Sequence, residues 1–283
     1  MTDGYRVIVD KIIRWGKSSD KLEAALMIGS QARDDHGADE YSDMDVLLVV
    51  SDPDYFLFSD EWLAEIGTFH VSFIEDTFGG GKERRLLFDG ALDVDFIILT
   101  KDETNAISSS DAAMILKRGY RVLVDKIGMQ NTLPRTAAAN QPYAFPTERE
   151  YRNLVNDFWY HAVWAAKKLK RGELWTAKDC VDTYMKWKLL SMIECHAHAL
   201  HGPDYDTWHN GRFLEAWAEG WIIEKLARCF SRYDEDDVST ALLSTMDLYR
   251  TLALEVAAKM DFLYQKEADD YVTGWGLTFG LDF

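Results

Sequence analysis

The sequence predicts an α+β protein in which a mixed sheet with helices is followed by a bundle of helices. Three observations carry that expectation. Up to about residue 127 the chain is dominated by short β-type runs punctuated by Gly, Asp and Ser clusters. The stretch Gly128–Pro146 then holds Pro134, Pro142 and Pro146, three of the five prolines, and shows little periodicity, which marks a linker. Beyond it the β-type runs give way to long Ala-, Leu- and Trp-rich segments of helical period. At about 100 to 200 residues per domain, a chain of 283 residues favours two domains: 1–130, a linker over 131–146, and 147–283.

In chain order, Val7, Ile8, Ile12, Ile13 and Trp15 recur at helical spacing, and Gly16 with Lys17, Ser18 and Ser19 supplies a stop, which predicts a first helix over 5–16. Strands are expected at 24–28, 46–50, 69–74, 84–88, 92–99 and 120–124, with helices at 59–66 and 111–118. In the second half the apolar period predicts helices over 148–171, 177–200, 211–230 and 235–260. The tail 264–283, aromatic and Gly-containing, reads equally as a docked strand, an extended arm or a disordered end.

Lys and Arg number 31 against 48 Asp and Glu, a net charge of −17, which repels phosphate backbones and anionic membranes and so argues against nucleic-acid or membrane partners. A cationic ligand would be steered inward by that field, although a soluble acidic protein needs no such ligand. Cys180, Cys195 and Cys229 are widely spaced without a Cys-x-x-Cys pair, which indicates neither a disulfide framework nor a zinc site and is consistent with reduced, buried thiols. The charged N-terminus has no apolar signal core, and no stretch approaches 18 uncharged apolar residues, so a cytoplasmic location is expected. Nothing in the sequence sets the oligomeric state, for which a monomer is the expectation.

The chemistry concentrates in residues 26–50, LMIGSQARDDHGADEYSDMDVLLVV. An apolar strand runs into Gly29 and Ser30, and 12 residues later Asp43 and Asp45 open the next apolar run. Residues i and i+2 of a strand share a face, so the two carboxylates meet in one volume, at an electrostatic cost that a cation removes. Paired Asp oxygens suit Mg2+, a hard ion that completes its shell with phosphate oxygens and water. Gly29 permits close backbone approach to a phosphate, and Ser30 offers both its N–H and its hydroxyl. Either half alone is an ordinary surface feature, and it is their combination that points to function. In LDVDFIILT, Asp95 lies inside an apolar strand where a carboxylate needs a cation or a proton. Asp93 shares its face but is less enclosed. Asp95 could coordinate a second metal and accept a proton from an attacking hydroxyl.

The order Gly-Ser, spacer, Asp-Met-Asp, then an Asp within an apolar strand resembles the nucleotidyltransferase superfamily of DNA polymerase β. Within it the chain is similar to the aminoglycoside 6-adenylyltransferases that inactivate streptomycin: the long spacer, Asn156-Asp157-Phe158-Trp159 opening the helical part, then Lys167, Leu169, Arg171, Glu173, Ala177, Asp179 and the run 189–193 all match. The loop Phe78–Lys82 and the C-terminal GWGLTFGLDF depart from that pattern. The resemblance implies a polymerase β-like nucleotidyltransferase domain before the helical bundle, and transfer of AMP from MgATP to an aminoglycoside hydroxyl with release of pyrophosphate. It implies that Gly29 and Ser30 hold the triphosphate, that Asp43 and Asp45 bind Mg2+, and that Asp95 completes the metal site or acts as base. Arg33, three residues after Ser30, could add a phosphate contact or be a solvated arginine.

In the helical half, Asp179, Asp182 and Lys186 fall at i, i+3 and i+7, a polar stripe that could face a cleft or simply solvent. Acids and aromatic walls suit a polycationic sugar, so Asp157, Trp159, Asp179 and Asp182 are acceptor candidates, while Lys167 and Lys186 could reach ATP phosphates. For each, a solvated stripe or a core tryptophan explains the residue equally well. GGGKE at 79–83 lacks the phosphate-loop pattern and reads as a hairpin turn. His196, His198 and His201 do not converge on one helix face and read as helix-end or surface residues rather than a metal site, and the tryptophans read mostly as core. Other readings are a nucleotidyltransferase acting on a protein or another small molecule, and a nucleotide-binding module without activity. The three retained aspartates argue against the last.

Overall fold

The computed structural model describes residues 2–33, 38–77, 81–107, 116–117, 119–133 and 142–278. The chain divides into two compact units, Met1–Ala139 and Asn140–Phe283. The first begins with α1 (Asp3–Ser18), β1 (Leu22–Ile28), a 3₁₀ turn at Gly29–Ala32 and β2 (Met44–Val50). Then come α2 (Pro53–Phe58), α3 (Glu61–Ala64), β3 (Phe69–Asp76), β4 (Lys82–Phe88), β5 (Leu92–Leu99), α4 (Lys101–Ile107) and β6 (Arg121–Asp125). The sheet order is β3-β4-β5-β2-β1-β6. β2 and β5 run parallel, and the other described pairs are antiparallel.

Both faces of the central strands are covered, so β1 and β2 carry unbroken apolar runs over 24–28 and 46–50 rather than alternating ones. One face packs Val46, Leu48, Val94, Phe96 and Leu86 against Tyr5, Ile12, Phe56 and Trp62 of the helices. The other face has a smaller cluster of Leu26, Ile28, Leu47, Val49, Leu116 and Met129. Alternation along β2 and β5 places Asp45 and Asp95 on this second, less covered face.

The helix expected at 59–66 is present as the shorter α3, and α2, over Pro53–Phe58, precedes it unexpected. Asp52 caps α2 by accepting from the Tyr55 N–H, and Pro53 stands in its first turn, so a helix starts there and ends at Phe58. Of the helix expected at 111–118, residues 116–117 are helical and 111–115 and 118 lie outside the described residues. The expected linker is undescribed over 134–141.

The second unit contains α5 (Glu148–Lys170), α6 (Leu174–Asp179), a π-helical turn at Cys180–Tyr184, α7 (Met185–His201), α8 (Leu214–Trp217), α9 (Gly220–Leu226), α10 (Glu235–Met260) and α11 (Lys266–Thr278). Thr147 and Glu150 form a reciprocal capping box at the start of α5. Its buried face meets α10, where Phe158 stacks on Tyr249 at 3.6 Å and the Tyr151 hydroxyl donates to the Ala253 carbonyl at 2.7 Å.

Three expectations change here. The helix expected over 177–200 is interrupted by the π-turn, and that over 211–230 is two short helices. The tail, left open between strand, arm and disorder, is helical to Thr278, with 279–283 outside the described residues. Its helix is anchored by Asp269, 6% exposed, whose carboxylate takes two hydrogen bonds from Arg250 and one from the Tyr264 hydroxyl. A buried anion so partnered fixes a segment whose glycines otherwise disfavour helix. Nor are His196 and His198 surface residues. Both are buried in the bundle, His196 pairing with Glu255 at 2.7 Å and His198 with Thr207 at 3.1 Å under a stacked Tyr143.

The three cysteines are free and buried, as expected. Trp62, Trp159 and Trp217 are core residues, whereas Trp175 and Trp187 are exposed. No helix among the described residues is long and apolar enough to cross a membrane.

Candidate active site

The register of the parallel pair sets Asp45 directly opposite Asp95. Asp43, just before β2, completes a group of three carboxylates whose oxygens lie within 4.8 Å of one another. This is the convergence that the spacing predicted. Asp43 is exposed, Asp45 half-buried and Asp95 buried, whereas Asp93 points out to solvent. Burial pushes the Asp45 carboxyl up to about 7, reinforced by the charges of Asp43, Asp95 and Glu83. Burial also raises Asp95, to about 6, with Arg85 opposing the rise and Glu83 and Asp93 adding to it. Anions so crowded need a positive partner, and an all-oxygen donor set of three carboxylates matches a hard divalent ion.

Gly29 follows β1 with φ at +70°, a conformation glycine adopts without strain. Its Cα also lies so close to Asp45 that a Cβ there would overlap the carboxylate oxygen Oδ2. Both constraints demand glycine. In the 3₁₀ turn that Gly29 opens, the Ser30 hydroxyl and the Gln31 side-chain carbonyl are buried without a hydrogen-bond partner among the described residues. Orphaned buried polar atoms are costly, so these two are available to a further hydrogen-bond partner. Arg33 Nε donates to the Gly29 carbonyl at 3.3 Å, which folds the arginine back over the turn.

Arg85 and Glu83 escaped the sequence reading. Arg85 stands opposite Asp95 on β4 and pairs with it at 2.7 Å, and Glu83 pairs with Arg85 at 2.9 Å. The available signal was the charged alternation Glu83, Arg85 along a strand. It acquires meaning only once the register with Asp95 is known. The glycine loop behaves as a hairpin connection: β3 and β4 pair antiparallel on either side of it, and Thr77 N–H donates to the Gly81 carbonyl. Residues 78–80 lie outside the described residues.

The acceptor and phosphate candidates of the second unit do not form one polar stripe. Trp159 is 1% exposed and belongs to the core, so it has no face to lay on a sugar. Its position on the α5 seam, three residues before Ala162, accounts for this. Lys186 is buried too, with its amine donating to the Val181 carbonyl and the Thr245 hydroxyl at 2.8 and 2.9 Å, and burial lowers it to about 8. That role is structural and removes Lys186 from the phosphate candidates. Asp182 pairs with Lys178 and accepts from the Ser231 hydroxyl at 3.0 Å. Asp157 is engaged by Lys188 and His161, each at 2.7 Å, and by the Tyr184 hydroxyl at 2.9 Å. Asp179 and Lys167 are exposed, Lys167 lying 5.6 Å from the Trp275 ring. The π-turn explains the difference: its extra residue rotates Asp182 and Lys186 relative to Asp179. Asp182 and Lys186 border a cavity of about 270 Å³ walled by Trp187, Leu190 and Phe230 among others.

The family model described as streptomycin adenylyltransferase matches residues 4–276. An aminoglycoside 6-adenylyltransferase of Campylobacter jejuni is 21% identical over 284 residues, covering 97% of this chain and 96% of that protein. The enzyme of that name from Staphylococcus aureus is 22% identical over 219 residues, covering 74% and 75%, and that from Bacillus subtilis 19% over 264 residues, covering 91% of each. A crystal structure of an aminoglycoside 6-adenyltransferase from Bacillus subtilis aligns over 99% of both chains at 18% identity and a TM-score of 0.47. With the carboxylate cluster and its glycine-serine turn in place, and the family match spanning nearly the whole length, the chain belongs to the streptomycin adenylyltransferase family of nucleotidyltransferases.

Proposed function

We propose that the protein transfers the adenylyl group of ATP to a hydroxyl of a cationic aminoglycoside, of which streptomycin is the leading instance, and releases pyrophosphate. The observation that carries this is the meeting of Asp43, Asp45 and Asp95 within 4.8 Å beside a turn whose Ser30 hydroxyl has no partner among the described residues. Asp43, Asp45 and Asp95 would hold Mg2+, which offsets phosphate charge and polarises the phosphoryl group under attack. The Ser30 N–H and hydroxyl bind triphosphate oxygens, and Gly29 keeps the approach open. Asp95, at the edge of the cluster, either completes that metal site or takes the proton as the acceptor oxygen bonds to the α-phosphorus and the bond to the β-phosphate breaks.

The net charge of −17 favours approach of a polycation. In the helical unit, the exposed Asp179 and, at the cavity, Asp182 are the acids proposed for acceptor contact, and Trp187 is an aromatic wall of the cavity that Asp182 borders. Incubating the protein with ATP and Mg2+, with and without streptomycin and a panel of other aminoglycosides, tests the reading. Pyrophosphate released together with an adenylyl mass gain on an aminoglycoside is the expected result. Turnover with none of the panel would refute the acceptor class, and adenylylation of a protein instead would replace it.

A further inference from the structure

The sheet face that carries Asp45 and Asp95 also carries a cation of its own. Pairing runs Phe73, Arg85, Asp95, Asp45 across four neighbouring strands, so these side chains share one face. Arg85 lies 2.7 Å from Asp95 Oδ2, 2.9 Å from Glu83 and 3.4 Å from Glu75. Three carboxylates thus bracket one guanidinium, and the innermost of them, Asp95, is only 3% exposed. A guanidinium stays charged at any working pH and holds a carboxylate plane in a fixed orientation.

We infer that Arg85 is a positioning residue standing where a second divalent ion would otherwise bind, so that the protein holds one such ion before nucleotide arrives. The inference rests on the metal-binding reading of the aspartate cluster. Two physical reasons support it. A doubly charged ion placed on the Arg85 side of Asp95 would face a permanent like charge at a few ångströms. Asp95 also has one oxygen committed to Arg85, and a carboxylate so engaged is a weak bridge between two metals. The remaining oxygen is left for the Asp43–Asp45 side. Arg85 further fixes the tilt of Asp95, and hence the direction in which it can receive a proton.

The test counts Mn2+ bound to the full-length protein without nucleotide, by electron paramagnetic resonance and calorimetric titration. The wild type is expected to bind one ion per chain. Arg85→Met is expected to gain a second site, at least tenfold tighter than any secondary binding by the wild type, and Arg85→Lys, which keeps the charge, to remain at one. In turnover, Arg85→Met should lower kcat at nearly unchanged KM for ATP, with partial recovery in Arg85→Lys. Two ions on the wild type, or an Arg85→Met protein with unaltered Mn2+ count and affinity, would overturn the inference while leaving the metal site standing. No bound ion on the wild type would overturn both together. Where Arg85→Met fails to fold, Arg85→Gln removes the charge with a polar side chain and should gain the same second site, its absence again overturning the inference.

Discussion

Neutralising Asp45 should make the metal-free protein more stable while destroying its activity. The carboxyl is raised from 3.8 to about 7 by burial and by Asp43, Asp95 and Glu83. A shift of about three units at 1.36 kcal/mol per unit is about 4 kcal/mol of strain in the ionised, folded state, an upper bound because neighbours and solvent relax around the charge. Asn returns about 1–2 kcal/mol of that through a half-buried amide lacking ideal partners. The net expectation for Asp45→Asn in EDTA at pH 8 is a gain of about 1–3 kcal/mol, several degrees in melting temperature. The sign follows from linkage. With the folded pKa above the unfolded one, the contribution of this carboxyl to stability is full below about pH 4 and is lost as pH rises toward 7, and Asp45→Asn should lack that loss. Calorimetric melts of both proteins in EDTA between pH 4.5 and 8, repeated with Mg2+, provide the assay. Mg2+ should reverse the order by stabilising the wild type alone. A variant that melts below the wild type at pH 8 in EDTA would refute the account of Asp45 as an unneutralised anion.

Four further outcomes are expected. Gly29→Ala forces an unfavourable φ and a clash with Asp45, so it should destabilise the first unit by more than about 1 kcal/mol and weaken ATP binding, read by melting and by ATP titration. Asp95→Asn should slow single-turnover transfer by orders of magnitude while ATP affinity falls far less, and the reverse pattern would move Asp95 from chemistry to binding. Asp179→Asn should raise the acceptor Kd about tenfold, or about 1.4 kcal/mol, with a smaller effect on ATP and a loss of affinity as salt rises; calorimetry at two ionic strengths would expose an unchanged acceptor Kd. Asp269→Asn breaks a buried, bidentate pair with Arg250 and should cost about 3–5 kcal/mol, measured as a lower melting temperature of the helical unit.

Most of the fold was legible because its elements announce themselves by period. Segments such as Val46–Val50 and Phe96–Leu99 are continuous apolar runs, and the long helices show the 3.6-residue repeat. Asp43, Asp45 and Asp95 were legible because charge inside or at the mouth of an apolar strand is costly and therefore informative. What stayed hidden depends on contacts between distant segments. Arg85 becomes a site residue only through the register of β4 on β5. Lys186 and Asp182 left the expected stripe because one extra residue in the Cys180–Tyr184 turn rotates the helix, which no local pattern signals. The helical tail is held by Arg250, 19 residues away from Asp269, and composition alone could not reveal it. Trp159, open between an acceptor wall and a core residue, is core because its helical phase points inward.

The parallel pairing of β2 with β5 makes the site self-checking during folding. Side chains alternate along a strand, so a slip of one residue would drive Asp95 into the helix-covered core and bring Val94 or Phe96 among the carboxylates. In the native register Phe96 sits edge-on against Trp62 at 5.0 Å, deep in that core. The same aromatic contact that rewards correct assembly therefore aligns two acids 50 positions apart in the chain. A misregistered sheet would lose its core and its chemistry in one step, so a folded yet misaligned form has little chance to accumulate.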